Sequence, residues 1–288
     1  MFHNNILPVF LVILTGYILS KIHKGIEIDS LLYILVHITA PALIFTSLVK
    51  SSLALNEFLG ITIATSLIIL VTGLAVFMLF GIFKVRHKGL YLPMIIGNTG
   101  YIGYPIALAV YGVKGLSIAI IFDTIASFFL YSFGIWIVHE NNEIREVFRV
   151  PLIYAVIIGM AFSIIKLPVP SVLFTPLESI GTITIPLALI VLGYKLASIK
   201  ISHFKISILA SLFKIAGMFT IAFFVLYFLH TTGITKSVIL LQASMPSAVM
   251  SMVLCQKYKR DPEIVTSVVL VSTIISIFTI PLVLRLLQ

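Results

Sequence analysis

Two short stretches of this 288-residue chain hold the residues whose types and spacing could do chemistry. The first is Gly97-Asn98-Thr99-Gly100-Tyr101-Ile102-Gly103-Tyr104-Pro105, which sets three glycines and a proline among amide and hydroxyl groups. The second is Gln242-Ala243-Ser244-Met245-Pro246-Ser247, with less glycine and more hydroxyl. Both lie inside long apolar runs. A proline there removes a helix hydrogen bond and clashes with the preceding turn, and in lipid the freed carbonyls must be satisfied by protein, water or ligand. The pattern predicts an unwound break in each run; a plain proline kink packed against neighbours fits the same residues. Half-helices starting near Pro105 and Pro246 would present free N–H groups and about half a positive charge each, a setting that attracts a carboxylate without an arginine. The opposite half-helix ends present carbonyls that suit a cation equally well. The candidate binding residues are therefore Asn98, Thr99, Gly100, Tyr101, Gly103, Tyr104 and Pro105, with Gln242, Ser244, Met245, Pro246 and Ser247.

Two ionisable residues lie deep in apolar sequence, Asp123 and Lys214. A charge at the bilayer centre costs at least about 2.5–3.5 kcal/mol, so each should face the protein interior and have a partner. Asp123 follows Lys114 by as many residues as Pro105 precedes it, which brings Asp123 level with the first break in an antiparallel pair. Counting from the turn near residue 232 places Lys214 about one turn beyond Pro246. We expect a charge pair, or at least mutual influence, that tunes protonation or substrate charge; a salt bridge that only holds two helices fits as well. His37, close to Pro41, is a candidate proton gate or a hydrogen-bonded packing residue. His3, His23, His87, His139, His203 and His230 fall at run ends, where solvated interfacial roles are expected. Glu178 reads as interfacial, Trp136 as an interfacial anchor and Tyr131 as packing. The single cysteine, Cys255, reads as a small buried hydrophobe.

The elements that must position these groups follow from composition. Apolar residues make up 60% of the chain and charged ones 10%, against roughly 45–50% and 25% in soluble domains, which excludes a soluble globular protein. Runs long enough to cross a hydrocarbon core of about 30 Å fall at 4–21, 30–49, 57–81, 89–110, 115–138, 148–166, 172–196, 204–229, 234–255 and 263–287. The longest polar stretch, His139-Glu140-Asn141-Asn142-Glu143-Ile144-Arg145-Glu146, is too short for a nucleotide-binding module, and no GxxxxGK[ST] occurs. The first run lacks a basic lead and a cleavage site, so it reads as a retained helix.

Of the 19 Lys and Arg, 13 lie in connections from odd to even runs, five lie on the other side, and Lys214 is internal. Positive charge stays in the cytoplasm, so both termini are expected outside the plasma membrane. The net charge of +9 is then a topology signal, not a nucleic-acid surface. The sequence also repeats itself. Thr39-Ala40-Pro41 in the second run matches Thr184-Ile185-Pro186 in the seventh, 145 residues on, and Pro105 matches Pro246 at an offset of 141. Five runs per half is odd, so the second copy must be inverted. The expected fold is an all-α polytopic membrane protein, ten helices in a 5+5 inverted repeat (1-145 and 146-288) with broken, crossed helices 4 and 9.

GNTGYIGYP in the fourth run, the TAP and TIP prolines Pro41 and Pro186, and ASMPSAVMSMVL in the ninth resemble the auxin efflux carrier family, in its compact microbial malate or malonate permease form. The resemblance covers essentially the whole chain. It implies an elevator-type secondary carrier of small organic anions, with a scaffold (1-56 and 146-200), a moving transport domain (57-145 and 201-288), and often a homodimer. By motif it carries binding to Asn98, the break from Gly100 to Pro105, and the break around Pro246. Plant members carry an acidic residue in helix 3 that the run 57–81 lacks beyond Glu57, so their ion coupling does not transfer directly. Sodium/proton antiporters of the related fold are similar in placing an Asp on helix 5 and a Lys before the second crossing, as at Asp123 and Lys214. The expected function is transport of mono- or dicarboxylates, with sodium- or proton-coupled antiport or bile-acid-like sodium symport as the alternative. No cofactor or metal is expected beyond a coupling H+ or Na+; lipid is the expected surround. GxSxG, HExxH, GxGD and NDxxD are absent, which argues against an intramembrane enzyme.

Overall fold

A computed structural model describes residues 2–23, 25–51, 53–138, 151–199 and 201–287, without the side chains of residues 2–5. Lys24, the His139–Glu146 stretch with Arg145, Arg149, Lys200 and the His3 side chain lie outside the described residues. Among those described the chain is helical, with one isolated antiparallel bridge. The elements are α1 (Phe2–Ile22), α2 (Ile28–Ser51), α3 (Leu55–Phe83), α4 (Tyr91–Ile95), α5 (Thr99–Val138), α6 (Pro151–Ile165), α7 (Ser171–Leu196), α8 (Phe204–Phe228), α9 (Gly233–Ala243), α10 (Val249–Lys257) and α11 (Pro262–Leu286). Six of them, α2, α3, α5, α7, α8 and α11, are long and apolar enough to cross a membrane.

Prolines and glycines punctuate these helices in a repeated way. Pro41 and Pro105 each follow a π-helical turn by two residues, Leu35–Thr39 and Thr99–Gly103. The proline ring would clash with the carbonyl four residues back, which is His37 or Tyr101; the wider π turn holds that residue in both cases. The second half-helix of the first break therefore starts at Thr99 and not near Pro105. In α7 the chain loosens at Ile183, three residues before Pro186. The reversal inside α5 falls on Gly112, whose φ of 65° and ψ of −158° lie where a Cβ would be strained. This divides α5 into two arms.

Close packing defines two units. The first comprises residues 1–61, 100–124 and 148–198, the second 62–99, 125–147 and 199–288. In the first unit α1 and α7 touch backbone to backbone: a Cβ on Gly16 would lie 2.1 Å from the Ile190 carbonyl oxygen, and one on Gly193 would lie 1.9 Å from that of Ile13. Lys21 Nζ donates to the Ala197 carbonyl at 3.1 Å, and the Tyr194 hydroxyl donates to that of His23 at 2.9 Å. Gly159 seats α6 on Phe45 and Leu48 of α2, and Gly181 seats α7 on Leu43. Small residues let helices approach where lipid supplies no hydrophobic drive between them. Rim ion pairs join Lys50 to Glu178, and Lys114 to Glu57 at 2.9 Å. In the second unit α8 and α11 meet through hydroxyls: Ser207 Oγ lies 2.9 Å from Ser267 Oγ, and Ser211 Oγ donates to the Val268 carbonyl at 3.3 Å.

Candidate functional site

Within the second unit the two breaks are joined to each other. Helix α4 ends at Ile95, and Ile96 turns extended, with φ −96° and ψ 127°. Gly97 and Ser247 then form the antiparallel bridge. The Asn98 N–H donates to the Pro246 carbonyl at 2.6 Å, and the Ala248 N–H donates to the Ile96 carbonyl at 3.0 Å. Each break thus supplies the partners that the other lost, as buried backbone groups require. Ser247 fastens the pair on two more sides. Its hydroxyl donates to the Pro93 carbonyl at 2.7 Å, and its N–H donates to Ser272 Oγ on α11 at 3.0 Å.

Lys214 lies beneath this joint. Its side chain is wholly buried, and Nζ donates to the carbonyls of Ala243 (3.2 Å) and Met245 (3.0 Å) and to Met218 Sδ (3.2 Å). An ammonium has three donors and no acceptor, so three acceptors exhaust it. Ala243 ends α9, whose C-terminus carries about half a negative charge; the lysine is its counter-charge. Gly97 has no side chain because that space is filled: a Cβ there would lie 3.1 Å from Lys214 Nζ. Thr99 and Ser244 are also committed locally, Thr99 Oγ1 to the Gly97 carbonyl at 3.4 Å and Ser244 Oγ to that of Leu241 at 2.7 Å.

Other polar atoms at the joint have no protein partner. Asn98 Nδ2, Gln242 Nε2 and Oε1, and Ser251 Oγ are buried and unbonded. Each such group costs roughly 1–3 kcal/mol if it stays so. Three of these four atoms belong to two neutral amides, those of Asn98 and Gln242, that flank the breaks and have donors and an acceptor to offer.

In the first unit the two arms of α5 fold back on each other and place Asp123 against the start of the helix. The Tyr104 hydroxyl donates to Asp123 Oδ2 at 2.8 Å. A Cβ on Gly100 would lie 3.3 Å from the same oxygen. Tyr104 is buried and Asp123 half-buried. Tyr101 and Gly103 belong to the π turn, and Tyr104 and Pro105 open the regular helix beyond it. The predicted site residues are therefore grouped in two sets. Gly100, Tyr104 and Asp123 form one; Asn98, Met245, Pro246 and Ser247 gather with Lys214 in the other. His37 is exposed, with Nδ1 3.1 Å from the Tyr33 carbonyl oxygen and its ring stacked on Tyr33 at 4.2 Å. Cys255 is buried, its Sγ 3.7 Å from the Gly89 carbonyl oxygen.

Sequence reasoning overlooked Ser272, Met218 and the backbone carbonyls that hold Lys214. Serines spaced along α11 at 267, 272 and 276 were the available sign, since hydroxyls on an apolar helix mark a buried face. It also overlooked Asp261, which receives Gly89 N–H at 3.0 Å and His87 Nδ1 at 2.8 Å.

The membrane transport protein family model matches the chain over residues 1–147 and 140–284. An uncharacterized transporter of Methanocaldococcus jannaschii is 30% identical over 297 residues, covering 96% of each chain. Another, of Methanothermobacter thermautotrophicus, is 29% identical over 292 residues, covering 97% of this chain and 96% of its own.

Proposed function

The chain belongs to the auxin efflux carrier family of membrane transport proteins, and from that premise we propose that it is a secondary carrier of small organic anions. It is a multi-pass membrane transporter, and its family and relatives are transporters, not enzymes. In this reading the substrate is a mono- or dicarboxylate such as malate, malonate or an auxin-like acid. The ten apolar runs form a 5+5 inverted repeat in which helices 4 and 9 break and cross. The carrier sits in the plasma membrane with both termini outside, as a homodimer. Alternating access is elevator-like, with 57-145 and 201-288 moving against 1-56 and 146-200. Which segments move together is a separate property from which pack together in one state.

The observation that carries the reading is the pair of joined breaks with unbonded amides beside them. Helix N-termini at Thr99 and Val249 supply partial positive charge for a carboxylate. The Asn98 and Gln242 amides supply neutral hydrogen bonds that fix its orientation. Lys214 is already bonded to carbonyls, so it acts through the joint and need not meet the substrate. Uptake of labelled malate into proteoliposomes, with and without sodium or pH gradients, tests the proposal. Saturable uptake supports it; cation exchange across the membrane with no carboxylate present replaces it.

That second reading, a sodium- or proton-coupled antiporter or a bile-acid-like sodium symporter, is favoured by one observation. Asp123 is a half-buried carboxylate beside Gly100 with the Tyr104 hydroxyl on one oxygen, a suitable group for H+ or Na+.

A further inference from the structure

Helix α3, helix α4 and the second arm of α5 line a half-open cavity of about 990 Å³ within the second unit. Its walls are apolar and aromatic, with Phe77, Phe133 and Trp136 largely exposed in the isolated chain. Three cations stand at it: Arg86 and Lys88, just past the end of α3, and Arg260, just past α10. Arg260 is fixed in place, its Nε donating to the Val138 carbonyl at 3.1 Å. All three belong to connections that carry the excess of positive charge in the sequence, the cytoplasmic side by the positive-inside rule.

We propose that this cavity is a binding site for an anionic phospholipid, with a hydrocarbon chain lying along Phe77 and Phe133 and the phosphate held by Arg86, Lys88 and Arg260. The cavity stands at the top of the roughly 300–1,000 Å³ range of ligand pockets, and a small carboxylate would leave its apolar walls unfilled. Basic pockets between helices on the cytoplasmic side suit anionic headgroups. A second copy packed on this cavity about a two-fold axis is a poor occupant, because it would set the same cationic rim of Arg86, Lys88 and Arg260 against itself; the proposed homodimer would use another face. The lipid's chain would also touch Ile95 and Ile96, the residues that lead into the first break, so an occupied cavity braces α4 from its outer side.

Native mass spectrometry of the purified full chain, titrated with phosphatidylglycerol or phosphatidylcholine of the same chains, reads this directly. The wild type is expected to bind phosphatidylglycerol more tightly. Replacing both exposed cations, Arg86→Gln with Lys88→Gln, should weaken phosphatidylglycerol binding by roughly 25-fold, about fivefold per charge, and leave phosphatidylcholine unchanged. Gly73→Phe, which puts a ring into the cavity beside Ile95, should weaken both lipids. Equal affinity for the two lipids in the wild type overturns the proposal. So does a double variant that keeps the preference, displacement of the lipid by millimolar inorganic phosphate, or a dimer that excludes lipid from Trp136 in cross-linking. The two rim substitutions lie on exposed residues, so their outcome stands even if Gly73→Phe does not fold.

Discussion

Lys214 and Asp123 are both charges set inside apolar helices, and the structure treats them differently. Lys214 is wholly buried and its three donors meet three acceptors. Asp123 is half-buried and shares one oxygen with a tyrosine hydroxyl. A saturated ammonium at a helix C-terminus stabilises a backbone shape that the helix would otherwise lose. A carboxylate that accepts from a tyrosine hydroxyl on Oδ2, beside a glycine whose missing side chain leaves that oxygen room, is the group to which the proposed ion coupling is assigned. The contrast separates a charge that builds a backbone joint in the second unit from one that the proposal uses as a titrating group in the first.

The sharpest way to break that contrast is Lys214→Met. Two carbonyls in the joint lose their donor at roughly 1–3 kcal/mol each, so the melting temperature in detergent should fall on the order of 10 °C and transport should be lost with it. A variant that melts like the wild type would show that Lys214 is not structural. Gly97→Val presses on the same ammonium from the other side, 3.1 Å from Nζ. Overpacking of this kind costs about 1–3 kcal/mol, to be measured by the same thermal scan. Asp123→Asn should leave melting nearly unchanged, within about 1 kcal/mol, and flatten the dependence of uptake on pH or sodium. Uptake that keeps its full pH and sodium response in this variant would assign Asp123 to packing. Asn98→Ala removes one unbonded amide; a neutral hydrogen bond lost from the substrate should raise its Kd by about 5–10-fold, with the fold intact by circular dichroism. The smallest effect belongs to Tyr104→Phe, a shift of about threefold in uptake without loss of ion response, since the carboxylate itself remains.

Much of this was legible in the sequence because helix breakers are local signals. Gly97 to Pro105 and Gln242 to Ser247 mark their own interruptions, and a helix hairpin near Lys114 brings Asp123 back to the first of them. The hairpin turns at Gly112, two residues earlier, because glycine alone there accepts a positive φ. The start of the half-helix at Thr99 was not legible, since Pro105 looked like the natural first residue. A π turn tolerates the proline instead, and π turns leave no residue-type signature. The partners of Lys214 were not legible for a deeper reason. Backbone carbonyls look the same at every position, so a lysine that binds them cannot be told from one that awaits a carboxylate. The joint between Gly97 and Ser247 likewise depends on pairing across about 150 residues, and no spacing rule reaches that far.

The contact of Gly16 and Gly193 with opposing backbones bears on how the protein is made. Lys21 and its acceptor Ala197 are 176 residues apart, so at the usual 5–20 residues per second the ribosome takes roughly 10–35 s to deliver the partner of α1. During that interval α1 has its glycine face against lipid, open to any other small-residue helix nearby. Slower elongation lengthens that exposure. Biogenesis, more than mature stability, is then the stage at which the groove at Gly16 is most exposed to error.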